Sequence, residues 1–156
     1  MERLLIRHGE TDADTRDRSG PHDQPLNERG RIQAVHIRPK LSLEDNIDIT
    51  TTPVAVSELQ RTRQTAQAAG AQIIRSYTIL NPLIDLTLEQ RDEFRETGIL
   101  PQHVLDASQN ILDNFPEERI LVMHGLPITG ICKILGIYQE LRHPYPDFCE
   151  IRVADI

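Results

Sequence analysis

Ile120-Leu121-Val122-Met123 is apolar without interruption and stops at His124-Gly125. Such a run suits a strand covered on both faces, because successive side chains point to opposite sides of a sheet. Ile128, Ile131, Ile134 and Leu135 then recur at helical spacing. The same order opens the chain, where Arg3 to Arg7 reads as a short buried strand ending at His8-Gly9. Asn27 is placed to cap a helix carrying Ile32, Ala34, Val35 and Ile37, with Pro39 as its stop. Pro53 to Val56 reads as a weak strand, followed by a helix through Leu59, Thr62, Thr65, Ala66 and Ala69 that Gly70 ends. Residues 12–25 read as a loop, Ile73 to Leu80 as β-rich, Pro101 to Phe115 as a helix, and Phe148 to Val153 as a last strand. Strands alternating with helices predict an α/β layered fold with a mostly parallel sheet. Ligands of such folds gather beyond the carboxyl ends of the strands, where both His8 and His124 fall.

At 156 residues one domain spanning 1–156 is expected, since domains commonly hold roughly 100–150 residues. The formal net charge of −7 argues against nucleic acid as a partner, because that binding rests on a positive surface. Arginines converging in one pocket can still bind a phosphate on an acidic chain. No stretch approaches the roughly 20 apolar residues of a membrane span, and Leu4-Leu5-Ile6 is too short for a secretory leader. A cytoplasmic protein with Cys132 and Cys149 reduced is therefore expected. His22, His36, His103 and His143 show no ligand spacing, so no metal site is expected. Glu89 to Glu96, interleaved with Arg91 and Arg95, reads as a solvated face with i,i+4 pairing, and Arg142 to Pro146 as a surface turn.

Three segments could carry chemistry. In Arg7-His8-Gly9-Glu10-Thr11, an imidazole held at a strand end can attack phosphorus through one ring nitrogen while the other is fixed. Arg7 offers a planar fork of donors for phosphate oxygens, and Gly9 lets backbone approach a ligand. In Ser57 through Ala66, Arg61 lies in the first turn of a helix, where free amides and the dipole favour an anion. His124 is the third. A phosphoryl group in transfer spreads charge over three oxygens, which two arginines and a histidine would stabilise. Taken singly, each segment also has a structural reading: strand-end histidines that only pack, and a helix start with arginines facing water.

Taken in order, these segments and Pro25-Leu26-Asn27-Glu28-Arg29-Gly30-Arg31-Ile32-Gln33-Ala34 resemble the motifs of the histidine phosphatase (phosphoglycerate mutase-like) superfamily. The resemblance spans nearly the whole chain. It implies a three-layer sandwich, a central mixed sheet flanked by helices, with no metal or organic cofactor. It implies His8 as the phosphorylated nucleophile and Arg7, Arg61 and His124 as phosphate ligands. Members often carry a Trp-Asn or similar pair after the first motif, where this chain has Asp12, Ala13 and Asp14. Many carry a glutamate general acid after a Pro-Leu stretch, where this chain follows Asn81-Pro82-Leu83-Ile84 with Asp85, which the resemblance makes the candidate acid. Glu89, Asp92 and Glu93 are nearby, and a solvated aspartate is the other reading of Asp85. An alkoxide leaving group needs a proton delivered, whereas imidazole, with a pKa of about 6.5, departs more readily. Only a modest segment separates Ala66 from Ile120, where mutases and sugar-phosphate members tend to insert lid elements. His124-Gly125-Leu126-Pro127 with its apolar helix resembles the short branch that dephosphorylates phosphohistidine on signalling proteins. The expected partner is thus a phosphorylated small molecule or phosphoprotein, with the lean towards phosphohistidine. A small-molecule phosphomonoesterase of sugar-phosphate type, a phosphoglycerate mutase and a non-catalytic phosphate-binding module are the alternatives.

Overall fold

The computed structural model describes residues 1–12, 23–81, 86–137 and 145–156. Its frame is a five-stranded sheet in the order β3-β2-β4-β1-β5. The strands are β1 (Glu2–Arg7), β2 (Val54–Val56), β3 (Ile74–Ser76), β4 (Ile120–Met123) and β5 (Ile151–Asp155). The first four run parallel and β5 pairs antiparallel to β1 at the edge, a mixed, mostly parallel sheet. The helices are α1 (Glu28–Val35), α2 (Ile37–Glu44), α3 (Gln60–Ala68), α4 (Leu88–Thr97), α5 (Gln102–Asp113) and α6 (Gly125–Ile134).

Alternation along the strands sorts the core into two sides. Leu4, Ile6, Val54, Val56, Ile120 and Val122 bury against Ala34, Ile37, Leu41, Ala66 and Ala69 of the α1–α3 layer. Leu5, Ala55, Leu121 and Met123 point the other way, onto Ile111, Ile128 and Ile131 of α5 and α6. Both faces of β4 are thus covered, as its unbroken apolar run requires.

Three boundaries and one charge pair differ from expectation. Pro39 does not stop the first helix; α1 ends at Val35, and Pro39 is the third residue of α2. A first-turn amide lacks an intrahelical partner anyway, so proline costs little there. Ile32 and Val35 face outward, whereas Ile37 is buried. The β-rich stretch is a strand only over Ile74–Ser76, then a single 3-10 turn at Thr78–Leu80. The last strand begins later, because Cys149 adopts φ 57° and turns the chain before Ile151. On α4 the charge pair is Arg95 with Asp92 at i,i+3, 3.6 Å apart, rather than at i,i+4. Most of the 12–25 loop, and residues 142–144 of the expected surface turn, lie outside the described residues.

Candidate active site

The site follows from sheet register. Arg7 pairs with Met123 across β1 and β4, so the next residues, His8 and His124, emerge side by side at the carboxyl ends. Val56 pairs with Val122 on the other side of β4, which brings Ser57 beside His124. The His8 amide donates to Met123 O at 3.0 Å and closes the register. The two imidazole rings stand edge to face with centroids 5.1 Å apart, both nearly buried.

Hydrogen bonds define the ring nitrogens. His8 Nδ1 is 2.7 Å from its neighbour's carbonyl, Gly9 O. A carbonyl only accepts, so Nδ1 carries the proton and neutral His8 has its lone pair on Nε2. His124 Nε2 lies 3.0 Å from Ser57 Oγ, and its Nδ1 lies 3.5 Å from Arg61 Nη2. Ser57 Oγ is 2.9 Å from Thr62 Oγ1, whose own hydrogen has the Leu59 and Ser57 carbonyls as acceptors at 2.8 and 3.1 Å. The Ser57 hydroxyl therefore donates to Thr62 and accepts from His124 Nε2–H. That leaves His124 Nδ1 on the Arg61 side.

The loop after β1 is held from two helices. Gly9 N donates to Thr65 Oγ1 of α3 at 3.0 Å, and Thr65 Oγ1 donates to Arg61 O at 2.7 Å. Glu10 N donates to Gln33 of α1, while its carboxylate accepts from Asn27 Nδ2 at 2.9 Å and pairs with Arg29 at 3.8 Å. Asn27 caps α1 as expected, its Oδ1 accepting from Gly30 N at 2.8 Å. The backbones of the loop and α1 touch: a Cβ on Gly9 would stand 2.6 Å from Gly30 O, and one on Gly30 2.2 Å from Glu10 O. Gly9, expected to let backbone approach a bound phosphate, makes its close contact with α1. Its amide is engaged by Thr65, and the space left by its missing side chain admits α1.

Arg7 is only 9% exposed, and Nη1 donates to Pro146 O at 2.9 Å. Its guanidinium lies 3.8 Å from the Phe148 ring centre and 4.8 Å from that of Tyr145. The segment expected to be only a surface turn thus reaches the site through Tyr145 and Pro146. Arg61 is half-buried in the first turn of α3, but the Gln60 amide there is capped by Asp23 Oδ1 at 2.8 Å. The Arg61 side chain, not that amide, is what α3 presents beside His124. Arg63 faces outward onto Ser76. Cys149, beside this cluster, has its thiol pushed up to about 12 by burial, partly offset by Lys40 and Arg7.

His8, His124, Arg7 and Arg61 thus come from three elements to one end of the sheet. Asp85 lies outside the described residues. Glu89, the other acid considered, sits exposed in the first turn of α4. Among the described residues no group of three His, Cys, Asp or Glu is placed to hold a metal ion, and no helix is long and apolar enough to cross a membrane.

The family model of the histidine phosphatase superfamily (branch 1) matches residues 4–102. The chain belongs to this superfamily. Its members include phosphatase- and mutase-type enzymes, and the match covers the His8, Asn27 and Arg61 segments, with His124 beyond it. Among solved structures, the chain is similar to TTHB049 from Thermus thermophilus, at TM-score 0.69 and 22% identity over 99% of this chain and 94% of that one. It is similar to a phosphoserine phosphatase from Entamoeba histolytica solved with 3-phosphoglyceric acid, at TM-score 0.67 and 18% identity over 97% and 89%. A phosphoglycerate mutase from Thermus thermophilus aligns at TM-score 0.60 and 24% identity over 87% and 85%. These likenesses show the histidine phosphatase fold. No curated protein matches the sequence.

Ser57, Thr62, Thr65, Glu10 and Phe148 hold this histidine phosphatase site together, and sequence reasoning assigned none of them a role. The first four lie inside the quoted motifs, so their positions were visible. Their partners depend on the register of β1, β2 and β4.

Proposed function

We propose that this single-domain chain is a metal-independent, cytoplasmic phosphatase that works by two in-line transfers. His8 Nε2 attacks phosphorus, and the P–O or P–N bond breaks with its electron pair going to the leaving group. Asp85 or a neighbouring acid gives that group its proton and recovers one from the water of the second step. Water then attacks the phosphohistidine, releasing phosphate and restoring His8. Arg7 and Arg61 neutralise the charge on the equatorial oxygens, and His124 joins them once its Nδ1 is protonated, its Nε2–H staying on Ser57. The observation that carries this reading is the pair of imidazoles at 5.1 Å, with Nδ1 of His8 occupied by Gly9 O. That hydrogen bond selects the tautomer with a nucleophilic Nε2.

The substrate reading leans to phosphohistidine on a protein. Its leaving imidazole needs little help from an acid, and Asp85 is a short carboxylate where many relatives carry glutamate. A phosphorylated small acid is the second reading, favoured by the ligand of the Entamoeba phosphoserine phosphatase that shares the fold. The test is phosphate release in EDTA from an aryl phosphate and from a phosphohistidine-bearing protein, for wild type and His8→Ala. Turnover that survives chelation and disappears in the variant is expected, with the phosphoprotein preferred. Full activity in His8→Ala, or loss in EDTA, would overturn the mechanism. Preference for a small phosphate ester would select the second reading.

A further inference from the structure

We propose that Phe148 and Tyr145 form an aromatic clamp that positions the Arg7 guanidinium for the phosphoryl group, an inference that rests on the phosphatase reading of the site. Arg7 is nearly buried, so its cation has given up most of its water. The segment 145–149 replaces it. Phe148 presents its ring 3.8 Å from the guanidinium carbon, Tyr145 stands at 4.8 Å, and Pro146 O accepts from Nη1 at 2.9 Å. A desolvated cation over an aromatic face is held more strongly than an exposed one. A planar guanidinium fixed at one edge and one face also keeps its fork pointing in one direction, sparing the ordering cost on binding.

The backbone shows that the clamp is registered to its target. Cys149 N donates to Arg7 O at 3.0 Å, and Arg7 N donates to Glu150 O at 3.3 Å. The residue after Phe148 is thus hydrogen-bonded directly to the backbone of Arg7. Cys149 takes a left-handed conformation, φ 57°, uncommon for a residue with a Cβ. That turn lies between Phe148, stacked on Arg7, and the start of β5 at Ile151. Tyr145 also covers the start of α6, where a Cβ on Gly125 would stand 2.4 Å from its ring. One segment therefore touches both Arg7 and the residue after His124. Phe148 lies 6.2 Å from His8, centroid to centroid.

The test uses Phe148→Leu, which keeps apolar bulk and removes the face, alone and combined with Arg7→Lys. Three quantities are measured: kcat and KM on an aryl phosphate, affinity for inorganic vanadate, and the Arg7 Nε–H resonance, assigned by its loss in Arg7→Lys. Phe148→Leu is expected to lower kcat/KM and vanadate affinity about 30-fold, the scale of one desolvated cation–π contact, with Phe148→Tyr restoring most of the loss. It is expected to shift the Arg7 resonance downfield as ring shielding is lost. In the Arg7→Lys background it should cost little more, because the planar group it positions is gone. An unmoved Arg7 resonance, or full Phe148→Leu activity in an active wild type, would overturn the clamp. A wild type that neither turns over nor binds vanadate would overturn the phosphatase reading, and the resonance would still decide the clamp.

Discussion

His124 Nε2 and Ser57 Oγ are 3.0 Å apart at the ends of adjacent strands, and the hydroxyl accepts the ring's proton because its own goes to Thr62. Removing the hydroxyl leaves a buried ring N–H without its acceptor, a loss worth about 1–3 kcal/mol. Ser57→Ala is expected to lower kcat/KM about tenfold and to perturb the His124 tautomer. Steady-state kinetics and imidazole nitrogen chemical shifts check it; an unchanged tautomer with an unchanged rate would remove Ser57 from the site.

Gly30 tests the contact between α1 and the His8 loop. Alanine at a helical glycine ordinarily gains about 1 kcal/mol. Here its Cβ would stand 2.2 Å from Glu10 O, a backbone atom that cannot rotate away. Overpacking of this kind typically costs about 1–3 kcal/mol, so Gly30→Ala is expected to lower stability despite the better propensity. Urea denaturation gives the sign directly, and a stabilised variant would show that the loop yields freely.

Asn27 serves two structures at once, capping α1 through Gly30 N and donating to Glu10. Loss of the cap alone costs about 1 kcal/mol. Asn27→Ala is expected to exceed that, whereas Asn27→Asp keeps the cap but sets a second carboxylate against Glu10. Comparing the two variants with and without Glu10→Gln, by thermal denaturation, separates the contributions; Asn27→Asp should gain from the Glu10 change.

Cys149 predicts an alkaline weakness. Burial raises its thiol from 9.0 to about 12, so in the folded chain it keeps its proton where the unfolded chain has lost it. The unfolded state then binds fewer protons and stability falls with pH. This contribution is fully present below pH 9.0 and is lost as pH rises to about 12. Cys149→Ala is expected to flatten that part of the stability–pH curve. A variant curve parallel to wild type would exclude the thiol as the cause.

The nature of each element was legible where one local signal dominated. The unbroken Ile120–Met123 run gave β4 at its observed bounds, and Asn27 caps α1 as its position suggested. Pro39 misled because proline's effect depends on whether it meets the interior or the first turn of a helix. Phe148 misled because β-propensity does not register a left-handed residue at the next position.

The sequence by itself determined the layered α/β pattern, the superfamily, and four charged or ring-bearing residues at strand ends and a helix start. Their types and order are local properties. Tertiary structure alone decided which ring nitrogen of His8 is protonated, that Ser57 orients His124, that Gly9 serves α1, and that residues 145–149 enclose Arg7. Each of these depends on how segments far apart in the chain are set against one another. A parallel register shifted by one residue would turn every strand-end side chain to the other face, and only packing of both sheet faces selects one register.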